Sequence, residues 1–114
     1  MDESQIDQPL YVAKALLFRS LSHPVRIRIL ELLVVEEMPV SALRDELGVE
    51  ASSLSQHLNV LKQSGLVVSQ RRANAVTYKI TDSSVGEFLT TARRVLASTM
   101  GRTRSALEYL EAQR

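Results

Sequence analysis

The sequence contains no cysteine. Disulfides, cysteine-based zinc sites and thiolate chemistry are excluded with it. Tryptophan is absent and aromatic residues make up only 4% of the chain, so the core must be aliphatic, built from Leu, Val, Ile and Ala. No apolar run approaches the roughly 20 residues that cross a bilayer, and no membrane partner is expected. A Gly-rich phosphate loop, a nucleophile elbow and a metal-ligand cluster are all missing, so catalysis is not expected. The N-terminal stretch MDESQIDQPL is acidic and polar, the opposite of a secretory signal, and a cytoplasmic location is expected.

The 114 residues, 45% of them apolar, suit one compact domain. A chain of this size buries roughly 68% of the surface its unfolded form exposes, enough for a real core. A loose tail over residues 1–8 is predicted, followed by one domain over 9–114. Net charge is only +1, but its distribution is uneven. From Glu31 to Glu50 six acids face Arg44 alone, a net of −5. From Ala51 to Thr81 there is no acid, and Lys62, Arg71, Arg72 and Lys79 give +4. Such segregation in a short chain points to one surface that meets an anion.

Helical spacing runs through PLYVAKALLFRSL, where Leu10, Ala13, Leu17 and Leu21 recur after a first-turn Pro9. SHPVRIRILELLVVEE reads as a second helix, capped by Ser22 or His23 and opened by Pro24. MPV is extended, because a residue before proline avoids the helical region. Ser41 is predicted to cap a short third helix, ALRDEL, that stops at Gly48. A fourth helix begins near Ala51 and ends at Gly65. With Leu54 at zero and about 100° per residue, Leu58 and Leu61 lie within about 40° of it and bury together. Ser52, Gln56, Asn59 and Gln63 then fall at roughly 140° to 200°, on the far side. That far face bears hydrogen-bonding groups and no charge. Ser53 and Ser55 flank it, and Lys62 sits nearer the core side.

LVVSQRR and VTYKIT are β-branched runs separated by ANA, and they read as a two-stranded hairpin with Asn74 in a left-handed conformation. Ser84 and Glu87 are spaced as a capping box. The helix that follows runs about 28 residues, or about 42 Å. Its stripe of Val85, Phe88, Leu89, Ala92, Val95, Leu96, Thr99, Thr103, Ala106, Leu107 and Leu110 is longer than a domain this small needs for itself. The surplus is expected to pack on another chain.

The fold class that emerges is mainly α with a small β-hairpin wing: two short helices, a tight turn and a polar-faced helix, then the hairpin. A helix presented to a major groove needs short donors and acceptors on its outer face, which Ser52, Ser53, Ser55, Gln56 and Asn59 supply. Acids there would be repelled by phosphate. Lys62, Arg71 and Arg72 can reach the DNA backbone or minor groove alongside.

LSHPVRIRILELL, VSALRDELGVEASSLSQHLNVLKQSGLVVSQRRANAVTYKIT and the long last helix together resemble the ArsR (ArsR/SmtB) family of bacterial winged helix-turn-helix regulators. The likeness covers about residues 10 to 110. It implies a homodimer through the first and last helices, with Leu10, Ala13, Leu17, Val95, Leu96, Thr99, Thr103, Leu107 and Leu110 at the interface. It also implies a double-stranded operator of two-fold symmetry, and most such proteins repress. Matched position by position, helix 51–63 is the recognition helix, with Ser52, Ser53, Ser55, Gln56 and His57 facing DNA. Arg71, Arg72 and Asn74 match the 67–80 wing. Glu50 departs from the pattern, and Ala73 and Ala75 stand where relatives often have glycine.

The family's metal sites are not carried over: the third helix has no cysteine and the last helix no histidine. His23 reads as a helix cap or hinge residue. His57, at about −60° from Leu54, packs or contacts DNA rather than binding metal. Any metal that does act must use His and carboxylate or carbonyl ligands, which suits nickel or zinc. Other effector options are a small organic ligand or a partner protein. A winged-helix adaptor that binds another protein is the competing function.

Overall fold

The computed structural model describes residues 8–113. All of the expected loose tail except Gln8 lies outside them. Helix α1 spans Leu10–Ser20. Pro9 stands at its cap position rather than inside it, with φ −58° and ψ 142°. Helix α2, Pro24–Val35, follows, and His23 is its cap: Nδ1 accepts the Val25 N–H at 3.1 Å. Between these candidates, only the imidazole reaches forward to an N–H of the first turn, while the Ser22 hydroxyl donates to Arg19 O.

Strand β1, Met38–Pro39, then leads into α3, Val40–Leu47. Ser41 does not cap this helix. Pro39 occupies the cap position, because β1 pairing ends there and the chain turns helical at once. Gly48 closes α3 in a left-handed conformation, φ 63°, which glycine adopts without steric penalty. Helix α4 covers Ala51–Gln63, and Gly65 turns the chain at φ 77° into the sheet.

Strands β2, Val67–Arg72, and β3, Ala75–Ile80, form the hairpin in register from Val67↔Ile80 to Arg72↔Ala75. The sheet has three strands rather than two, because β1 adds to the free edge of β3 through Met38↔Tyr78 and Pro39↔Thr77. Only two residues remain in the turn, Ala73 and Asn74. A two-residue hairpin needs positive φ at its first central position, so Ala73 carries it at 54° and Asn74 does not.

Helix α5 runs Ser84–Ala112 over 29 residues. The capping box does not form. Asp82 lies closer and is a stronger acceptor, so the Ser84 hydroxyl donates to its Oδ2 at 2.9 Å. The hydroxyl and backbone N–H of Ser84 hold the Asp82 carboxyl below its ordinary pKa.

The core gathers Ile29, Leu30 and Leu33 of α2, Leu43 of α3, Leu54, Leu58 and Leu61 of α4, Val67 of β2 and Val85 of α5. Only the first two turns of α5 join it. Gly86 lets α5 approach α2 closely, since a Cβ there would meet Val34 Cγ1 at 3.2 Å. From Thr91 to Gln113 every residue is exposed. The radius of gyration is accordingly 18.0 Å, against about 13 Å for a compact domain of this length. Among the described residues, no helix is long and apolar enough to cross a membrane.

Candidate nucleic-acid interface

Helix α4 is pinned from below by Leu54, Leu58 and Leu61, each almost fully buried. The pinning fixes which residues face out. Ser52, Ser55, Gln56, Asn59, Lys62 and Gln63 are exposed, and Ser53 is half-buried at the edge. Lys62 thus stands in solvent, clear of the core side. No acid lies on this helix. Glu50, at the cap position, makes no side-chain cap hydrogen bond and is exposed.

His57 is turned inward. Its ring packs on His23, with centroids 4.2 Å apart, and Arg26 Nη1 lies 3.4 Å from its Nδ1. Removal from water, then the charges of His23 and Arg26, lower its pKa below 6.5. The imidazole is therefore neutral at neutral pH.

At the wing, Gln70 to Asn74 are all exposed. Arg71 and Arg72 are successive strand residues, so their side chains leave opposite faces. Arg72 is engaged: Nη1 pairs with Glu37 Oε1 at 2.9 Å and Nη2 donates to Gln70 Oε1 at 3.2 Å. Arg71 has no ion-pair partner among the described residues. The pairing of Glu37 with Arg72 has no signal in the sequence, since 35 positions separate them; only the docking of β1 on β3 brings them together.

The second expected surface lies on α1 and α5. Leu10 and Ala13 are exposed and Leu17 is half-buried. Val95, Leu96, Leu107 and Leu110 are each more than half exposed. The hydroxyls of Thr99 and Thr103 donate to Val95 O at 2.9 Å and Thr99 O at 3.0 Å. Both hydroxyls are thereby satisfied inside the helix. Among the described residues no group of three or more His, Asp or Glu is placed to hold a metal ion.

Residues 21–70 match a helix-turn-helix domain family. Over 106 residues the chain is 44% identical to the HTH-type transcriptional regulator Rv0081 of Mycobacterium tuberculosis strain H37Rv, covering 92% of this chain and 93% of that one. The crystal structure of Rv0081 superposes with a TM-score of 0.79 over 85% of this chain and 98% of that one. The solution structure of a homodimeric winged helix-turn-helix domain of Mb0332 from Mycobacterium bovis, a possible ArsR-family regulator, shares the fold. Its TM-score is 0.75 at 24% identity, over 90% of this chain and 93% of that one. The chain belongs to the ArsR family of winged helix-turn-helix regulators. Another similar protein, the biofilm growth-associated repressor of Xylella fastidiosa strain Temecula1, is 35% identical over 73 residues, 64% of each chain. In this ArsR-family chain, α4 is the second helix of the helix-turn-helix and β2–β3 the wing.

Proposed function

We propose that the protein is a homodimeric transcriptional repressor that reads a pseudo-palindromic operator. Two copies of α4 enter successive major grooves about 34 Å apart. Ser52, Ser53, Ser55, Gln56 and Asn59 meet base edges there, and Lys62, Arg71, Arg72 and Asn74 meet the backbone or minor groove. The observation that carries this reading is the outer face of α4: exposed, rich in short donors and acceptors, and continuous with a segment that holds no acid from Ala51 to Thr81. Groups of that kind can satisfy base edges without repelling phosphate. His57 contributes indirectly, by setting how α4 sits on α2. The α1 and α5 stripe supplies the dimer surface, and repression agrees with the name of the Xylella relative.

The test is fluorescence anisotropy with the DNA upstream of the protein's own gene at low salt. Saturable binding is expected, weakened at least about tenfold in the Arg71→Glu, Arg72→Glu double variant, because two phosphate contacts become repulsive. Affinity unchanged by that charge reversal would support the adaptor function instead. Repeating the titration with nickel, zinc and a chelator reads out any metal response.

A further inference from the structure

We propose that the cleft between α1, the start of α2 and the C-terminal end of α4 binds a small organic carboxylate with an apolar tail. The cleft holds about 670 Å³, within the range of small-molecule sites. Leu16, Leu17 and Val60 supply apolar lining, Arg19 and Arg26 supply positive charge, and no acid is in the lining. Neither arginine has an ion-pair partner among the described residues.

Arg26 is short of acceptors. Its Nη1 reaches His57 Nδ1 and its Nη2 reaches Arg19 O, both at a long 3.4 Å. Its Nε is shut off from water and has no partner. A guanidinium fork fits the two oxygens of a carboxylate through its terminal nitrogens. Arg19 and Arg26 are the only charged side chains in the lining. A phosphodiester of DNA shares the anionic chemistry but has nothing to set against Leu16, Leu17 and Val60, whereas an alkyl carboxylate matches both the charged and the apolar lining. The Ser20 and Ser64 hydroxyls already tie α1 to the end of α4 across this cleft. On the reading that α4 binds DNA, a ligand here couples the dimer helix to the recognition helix.

Calorimetry and amide NMR on the full chain, without DNA, test the site with octanoate, octanamide and inorganic phosphate. Octanoate is expected to bind once per chain, shifting the amides of Arg19, Val60 and Ser64 and raising the pKa of His57. Octanamide, which lacks the charge, is expected to bind about tenfold more weakly or worse. The exposed Arg19→Gln variant, folded by circular dichroism, should lose a similar factor, and Arg26→Lys should lose the bidentate part while keeping the charge. Absence of octanoate binding, equal binding of octanamide, or full affinity in Arg19→Gln would overturn the proposal. So would phosphate binding as tightly as octanoate, which would assign the cleft to a bare phosphate. None of these results bears on operator binding, which is measured separately.

Discussion

Ala73 is held at φ 54° at the tip of the wing. A non-glycine residue in the left-handed region is disfavoured by roughly 1–2 kcal/mol, partly offset on mutation by the greater freedom of glycine in the unfolded chain. Ala73→Gly is therefore expected to stabilise the protein by about 0.5–1 kcal/mol, read as a higher midpoint in thermal unfolding. A lower midpoint would show that the turn relaxes differently. His57 makes a second residue-scale prediction. Its pKa lies below the ordinary 6.5 when folded, so the unfolded chain binds the proton more tightly. Stability is then full above that ordinary value and is lost as pH falls from it toward the lowered folded value. Melts at pH about 7.5 and about 5.5 should differ less in His57→Gln than in the parent. An unchanged difference would place the proton elsewhere.

The wing and α4 are held in place by different interactions. Helix α4 is fixed by three buried leucines, while the wing is fixed by ladder hydrogen bonds and by the added strand β1. Glu37, the residue just before that strand, pairs with Arg72. An exposed pair of this kind contributes about 0–1 kcal/mol, so Glu37→Gln should leave stability nearly unchanged. It frees Arg72 for phosphate and removes a negative charge beside it. Operator affinity should rise by up to about fivefold at low salt, measured by anisotropy. A weaker complex would mean that Glu37 instead positions Arg72 for the contact.

At the scale of the molecule, α5 is the anomaly. Its exposed part from Thr91 onward has no core of its own chain to pack on, and helical stability in proteins comes mostly from packing an amphipathic face. In the proposed homodimer, two such stripes pair with each other. Sedimentation should find the parent as a dimer and Leu107→Glu as a monomer or a dimer weakened at least about tenfold. Because Leu107 contributes nothing to the intrachain core, the variant should keep its helical content. A dimer of undiminished strength would place the interface elsewhere.

The periodicity of Leu54, Leu58 and Leu61 by itself determined the orientation of α4, since a helix that buries one stripe must expose the other. The β-branched runs around Ala73 and Asn74 likewise determined a hairpin, and the length of the last apolar stripe determined that α5 outgrows its domain. These are local properties, fixed by backbone geometry and side-chain polarity within about one element. Only the tertiary structure decided that Met38–Pro39 becomes a third strand and that Glu37 holds Arg72. It alone set His57 against His23 and Arg26, and left Arg26 short of acceptors above a cleft. Each of those arrangements joins residues distant in sequence, and their meeting depends on how whole elements pack rather than on any pattern within one.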